Sequence, residues 1–317
     1  MSTSGGTRAI VAALLANTGI AVTKFVAFLL TQSSSMLAES IHSVADAGNQ
    51  GLLLLGGRRA KREASDKHPF GYGRERYIYA FIVAIVLFSV GGLFALYEGW
   101  HKLQDPHPIE AWHWVPVVVL LAAIVMESLS FRTAIVESNH VRGQRSWKEF
   151  IRRAKAPELP VILLEDFAAL VGLVFALFGV SLTLITDNGV WDAIGTLMIG
   201  GLLVTVAVVL AVETKSLLLG ESATEEHVLA IEQALAAGED IERVIHLRTL
   251  HMGPEELLVA AKISVSHDES AGSIARAIDE AEARVRAAVP IARFIYLEPD
   301  IFVDQPAGAA VPGPDGS

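Results

Sequence analysis

The chain of 317 residues contains no cysteine. That absence removes disulfides, thiolate metal ligands and cysteine nucleophiles together, so any metal must be held by His, Asp, Glu and backbone or water oxygens. Charged residues are also sparse, at 19%, and aromatic residues make up only 7%. A carrier of organic cations would want aromatic walls, so the shortage of rings argues against that substrate class. No nucleophile, cofactor loop or hydrolytic motif accompanies the polar residues, which argues against an enzyme. What fills the chain instead is apolar: 52% hydrophobic residues and a mean hydropathy of +0.45 exclude an ordinary soluble domain and indicate an integral membrane protein.

Six apolar segments approach the roughly 20 residues a bilayer requires, at about residues 8–30, 35–57, 78–101, 113–135, 160–185 and 191–212. The N-terminus lacks the basic start of a cleavable signal peptide and its apolar segment is too long for one, so it reads as a retained span. Lys and Arg crowd the connectors 58–76 and 142–155, whereas 31–34, 102–113 and 186–189 are nearly free of them. The basic connectors are therefore expected on the cytoplasmic side, and both termini with them. Basic residues beside spans do not form a nucleic-acid face, and the bilayer is the expected partner. After Lys215 the period changes. Residues 224–237 read as an amphipathic helix, 241–250 and 255–265 as strands about a turn at Gly253-Pro254, 270–288 as a second helix ending before Pro290, and 294–303 as a last strand. The expected organisation is a six-helix transmembrane domain (1–215), a small α+β domain of αββαβ order (216–305) and a disordered tail (306–317).

The polar residues inside the apolar segments carry the chemistry. In the second span, Glu39-Ser-Ile-His42-Ser-Val-Ala-Asp46-Ala-Gly-Asn49 puts a histidine and a carboxylate four residues apart, on one helical face, with Glu39 and Asn49 in the same quadrant. Ionisable groups at that depth cost roughly 2.5–3.5 kcal/mol each on insertion scales, so they mark an ion pathway more often than they act as glue between helices. The fifth span begins Pro160-Val-Ile-Leu-Leu-Glu165-Asp166. Stepping from Glu165 by helical intervals reaches Ala169, Gly172, Ala176 and Gly179, a small-residue stripe that turns Glu165 toward a neighbouring helix. Asp166 lies at the edge of that face, as a second ligand, a group orienting a ligand, or a proton site. Glu127 in the fourth span suits an internal ion pair better than a relay. Lys24 either pairs with an acid or snorkels to the outer interface, the second being favoured, and Asp192 and Glu213 are expected at interfaces or lining an ion vestibule.

The six spans, the His-x-x-x-Asp of the second and the αββαβ end resemble the cation diffusion facilitator family, the zinc-transporter-type metal/proton antiporters. The stretches Ser34-Ser-Met-Leu-Ala-Glu-Ser-Ile-His-Ser-Val-Ala-Asp-Ala-Gly-Asn49, His68-Pro-Phe-Gly-Tyr-Gly-Arg-Glu-Arg-Tyr77 and Leu247-Arg-Thr-Leu-His-Met-Gly-Pro254 carry the resemblance. Leu163-Leu-Glu-Asp-Phe-Ala-Ala-Leu170 is similar to the subgroup that includes the ninth human zinc-transporter-type member. The resemblance implies export of a divalent metal from the cytoplasm in exchange for protons, across the plasma or inner membrane, by a homodimer joined through its cytoplasmic domain. It implies no catalytic cofactor, with Zn²⁺, or Mn²⁺, Co²⁺ or Fe²⁺, as cargo. A second His-x-x-x-Asp, usual in the family's fifth span, is missing, because Val161 and Ile162 stand four residues before Glu165 and Asp166. The implied metal ligands are His42, Asp46 and one or both of Glu165 and Asp166, an oxygen-rich set that also suits harder ions. An accessory site before the third span is not expected, since only His68 and Asp66 remain and Tyr72 replaces a second histidine. His246, His251 and His267 read as surface histidines of the soluble domain. The alternative from another class is a membrane-bound metal sensor or scaffold that does not transport.

Overall fold

The computed structural model describes residues 18–302 apart from 110 and 239. The start of the first expected span, the retained-span reading and the expected tail lie outside the described residues. The chain divides into two compact units between Leu219 and Gly220.

The first unit is helical, with an element at each of the six expected segments: α1 (Thr18–Thr31), α2 (Ser34–Ala60), α3 (Glu75–Val86) continuing into α4 (Phe94–Gln104), α5 (Trp114–Arg142), α7 (Glu158–Thr186) and α8 (Val190–Leu219). Among the described residues, four stretches are long and apolar enough to cross a bilayer on length and composition alone: Glu75–Gln104, Trp114–Arg142, Glu158–Thr186 and Val190–Leu219. Helix α2 has the length, 27 residues, but its Ser, Glu, His and Asp residues dilute its apolar run. The helices run past the expected spans, α8 by seven residues at its end and α5 likewise, because polar residues such as Glu213 and Lys215 of α8 and Glu137 and Arg142 of α5 continue a helix readily once the apolar run has ended. A short α6 (Trp147–Arg153), capped by the Ser146 hydroxyl, lies inside the second basic connector, where no helix is expected from the apolar pattern. Between α3 and α4 the residues Leu87–Leu93 form a π-helix, and its two glycines meet α8 closely.

Helix α2 begins in a way that its sequence does not disclose. Its Ser33 hydroxyl accepts from the Met36 N–H, but its first turn holds no acid. The negative charge comes from α8: Asp192 accepts from Ser33 Oγ at 2.9 Å, Ser34 N at 2.7 Å and Ser35 N at 3.3 Å. Asp192, in the first turn of its own helix, is 1% exposed and is a buried cap on another helix's N-terminus, where orphan N–H groups and the helix dipole favour a carboxylate.

Helices α7 and α8 pack through glycine. A Cβ on Gly179 would stand 2.7 Å from the Trp191 carbonyl oxygen and 3.2 Å from Gly195 Cα, both backbone atoms that cannot swing away. Gly179→Ala is therefore expected to cost about 1–3 kcal/mol, read as a lower unfolding midpoint in detergent. Gly201→Ala on α8, with nothing within 4 Å of the added carbon, is the control and should be neutral or slightly stabilising, by up to about 1 kcal/mol. Equal midpoints for the two variants would remove the close-contact argument.

The second unit runs α9 (Glu225–Ala236), β1 (Arg243–Gly253), β2 (Glu256–Ser264), α10 (Ala271–Ala288), β3 (Ala292–Asp300), the expected αββαβ order. Thr224 and Ser270 cap the two helices. β1 pairs antiparallel with β2 across the turn at Pro254, and β2 pairs parallel with β3, α10 being the crossover. On β2, Leu257, Val259, Ala261 and Ile263 alternate inward onto Ile231, Leu235, Ala281 and Val285 of the helices. Pro299, which has no N–H for a ladder, sits on the edge strand β3. Beside it, Lys262 Nζ holds Asp300 at 2.7 Å and Glu298 at 3.2 Å; the hydrogen bond from Lys262 keeps the Asp300 carboxyl below its ordinary range. Of the three histidines expected on the surface, His246 and His267 are exposed but His251 is not. It is 1% exposed, with Nδ1 3.2 Å from the Gly253 carbonyl oxygen, because its position on β1 faces the helices opposite Leu257.

Candidate metal centre

Helix α2 places His42 and Asp46 one turn apart, with His42 Nε2 3.4 Å from Asp46 Oδ2. His42 is 1% exposed, and neither ring nitrogen makes a hydrogen bond among the described residues. Asp46 Oδ1 is likewise buried and without a hydrogen bond. An imidazole left in this condition loses the free energy of an unmade hydrogen bond, about 1–3 kcal/mol, unless something else uses its lone pair.

Helix α7 meets α2 one turn further on. Glu165 is buried, at 4% exposed, and its Oε1 accepts from Asn49 Nδ2 at 2.7 Å. Ala169, Gly172, Ala176 and Gly179 are buried below it, so the small-residue stripe is the face along which α7 packs. Asp166, about 100° round the helix, turns the other way and accepts from Ser130 Oγ of α5 at 2.9 Å. It opens on a cleft of about 10 Å³ bounded by Ile20, Ser43, Asp46, Gln50, Glu127, Ser130 and Asp166, roughly the space of one water-sized particle.

The sequence-predicted set is thus brought to one neighbourhood as two parts: His42 with Asp46 on α2, and Glu165 tied to Asn49, while Asp166 shares the cleft with Asp46. Among the described residues no three His, Asp or Glu side chains stand close enough together to hold a metal ion. Glu127, given an ion-pair role by sequence, lines the cleft instead; its spacing to Ser130 on α5 was the available signal. Lys24 corrects a second expectation. It does not snorkel: it is 1% exposed, and its Nζ donates to Glu39 Oε2 at 3.0 Å and Ser43 Oγ at 2.9 Å. A single lysine in an apolar helix has either fate, and only Glu39 on the facing helix decides between them. In the loop before α3, Tyr72 holds structure rather than metal, its ring 4.7 Å from that of His68 and its hydroxyl 3.2 Å from Ser65 Oγ.

A helical membrane unit with paired ionisable residues on α2 and α7 can be compared with known proteins. Residues 10–219 match the model of the cation efflux transmembrane domain. The chain belongs to the cation efflux family. The family is one of multi-pass membrane transporters rather than enzymes, and it has no catalytic cofactor. Among its members, the mouse proton-coupled zinc antiporter SLC30A9, mitochondrial, is 32% identical over 243 residues, 76% of this chain and 42% of that protein. Metal tolerance protein C4 of Arabidopsis thaliana is 27% identical over 258 residues, 81% of this chain and 56% of that protein. The chain therefore spans about two-fifths to just over half the length of these curated relatives. Among solved structures, a MamM C-terminal domain matches 25% of this chain and 94% of its own, at 19% identity and a TM-score of 0.24.

Proposed function

We propose that this cation efflux protein exchanges a divalent transition-metal cation, zinc first, for protons by alternating access, carrying metal out of the cytoplasm. The observation that carries the reading is His42: a buried imidazole whose two nitrogens make no hydrogen bond among the described residues, one turn from a carboxylate, in a helix of a membrane unit. A cation bound by His42 Nε2, Asp46 and Glu165 would use the imidazole, the Asp46 Oδ1 that makes no hydrogen bond among the described residues, and the Glu165 carboxylate that Asn49 orients through Oε1. Protons compete for those same lone pairs, so a proton gradient can displace the metal. Asp166 and the cleft it shares with Asp46 give a second oxygen donor or an approach path. The shell has one nitrogen and several oxygens, which admits Zn²⁺ and also Mn²⁺, Co²⁺ or Fe²⁺. The mouse and Arabidopsis relatives, a proton-coupled zinc antiporter and a metal tolerance protein, agree with it.

The basic connectors 58–76 and 142–155 support a cytoplasmic side for both, with both termini there, in a plasma or inner membrane. The αββαβ unit, residues 216–305 by the domain reading, is the segment we assign to homodimerisation. The direct test is metal flux into or out of proteoliposomes after a pH jump. Saturable Zn²⁺ flux that follows the proton gradient is expected, with Mn²⁺ competing. Metal binding by calorimetry without any gradient-driven flux would overturn transport and point to a sensor or scaffold.

A further inference from the structure

The buried pair Lys24–Glu39 stands one turn from the candidate metal centre and takes no part in it. Glu39, His42 and Asp46 fall at i, i+3 and i+7 on α2 and share a face, so Glu39 stands about one turn before His42 as Asp46 stands one turn after it. Glu39 is 0% exposed. Its Oε1 makes no hydrogen bond among the described residues and lies against Gly172 of α7, where an added Cβ would come within 2.9 Å of it. By residue type, spacing and burial, Glu39 is as fit a metal ligand as Asp46. What sets it apart is the ammonium of Lys24 on its other oxygen, 3.0 Å away.

We infer that Lys24 is a specificity-determining residue: its tethered ammonium occupies Glu39 and fixes how many carboxylates the transported cation meets. The inference rests on the reading of His42 and Asp46 as the transport site. A buried carboxylate needs a neutralising partner, because desolvation costs several kcal/mol per ion. With Lys24 present the partner is built in. Without it, the nearest cation able to neutralise Glu39 is the divalent ion at His42, about one helical turn away, and the attraction is strong where water is scarce. Recruiting Glu39 would add one more oxygen to a shell with a single nitrogen, favouring Mn²⁺ over Zn²⁺. It would also hold the ion harder and delay its release to protons. Lys24 engages the Ser43 hydroxyl as well, at 2.9 Å, and so ties up a second oxygen, this one on the wall of the cleft.

The test compares full-length wild type, Lys24→Met, Glu39→Gln and the double variant, by Zn²⁺ and Mn²⁺ calorimetry in detergent and by pH-jump flux in liposomes. Lys24→Met is expected to raise affinity for Mn²⁺ relative to Zn²⁺ by about ten-fold and to slow Zn²⁺ flux by a similar factor, as changes beside a metal shell do. The double variant, which removes both charges, should return the ratio to the wild-type value. An unchanged ratio in Lys24→Met, or a shifted ratio that the double variant does not restore, overturns the proposal and leaves Lys24 as a clamp between α1 and α2. Should Lys24→Met fail to fold, Glu39→Gln reads the same charge balance. It leaves an unmatched ammonium near the ion and should weaken both metals by about ten-fold or more, and unaltered binding there overturns the proposal. His42→Ala in the same series keeps the two readings apart, since wild-type metal binding in that variant would refute the site itself, whatever Lys24 does.

Discussion

Replacing His42 with alanine is expected to cut proton-driven metal flux by at least about 100-fold while moving the unfolding midpoint by no more than about 2 °C. The two halves of this expectation come from one observation. Both ring nitrogens of His42 are buried and make no hydrogen bond among the described residues, the nearest acid oxygen being 3.4 Å away. Removing the ring therefore orphans no partner. The packing it loses is offset by relief of an unsatisfied polar group, a term of about 1–3 kcal/mol. For a bound cation the balance is the reverse, because the only nitrogen donor of the site disappears. Changing a group that merely orients a ligand costs 10–100-fold in affinity or activity, so a ligand itself should cost at least the upper figure. Asp46→Ala should lose flux equally. Pairing pH-jump flux with thermal unfolding decides the matter. Wild-type flux removes His42 from the site, and a midpoint that falls along with the flux reduces it to a packing residue.

The largest effect on stability is expected at Asp192. Its carboxylate, 1% exposed, takes the Ser33 hydroxyl and the Ser34 and Ser35 N–H groups, and alanine would leave all three donors of α2's first turn unmatched in the interior. Hydrogen bonds to a charged acceptor contribute about 1.5–3 kcal/mol each, and each buried donor left unmatched costs about 1–3 kcal/mol. Asp192→Ala should lower the unfolding midpoint by roughly 10 °C or more. Asp192→Asn keeps one acceptor oxygen and should lose about half as much. The check is calorimetry or circular dichroism in a fixed detergent. A midpoint for the alanine variant within a degree or two of wild type would show that water, rather than Asp192, satisfies the start of α2.

Period and spacing made much of this architecture readable. The apolar runs located the membrane helices, and alternation with Gly253-Pro254 located β2 to within one residue and β1 to within three. The stripe from Ala169 to Gly179 gave the packing face of α7, because small residues at helical intervals mean the same thing in any bilayer. What stayed hidden depends on residues far apart in the chain. Lys24 and Asp192 are single charges in apolar surroundings, and their roles are set by Glu39, 15 positions away, and by Ser34, 158 positions away. Glu127 was hidden for the same reason: its cleft is built by α1, α2, α5 and α7 together. His251 was misplaced because an alternating strand buries every second residue whatever its polarity, and register, not composition, chose the face.

The π-helix at Leu87–Leu93 acts on the phase of its span. Tyr77 and Ala95 are 18 residues, five regular turns, apart and would point the same way in an uninterrupted α-helix. Each π turn takes up an extra residue and rotates everything after it by about 100° relative to that helix. The rotation lets one span serve two neighbours: α3 packs on α2 and α8, whereas α4 lies mainly along α8, with Gly99 against Leu197 and Ala193. The bulge also seats Gly91 where an added Cβ would stand 3.9 Å from His42 Nδ1. A span out of phase with itself is thus in phase with two surfaces at once, and the rotation between them occurs beside His42.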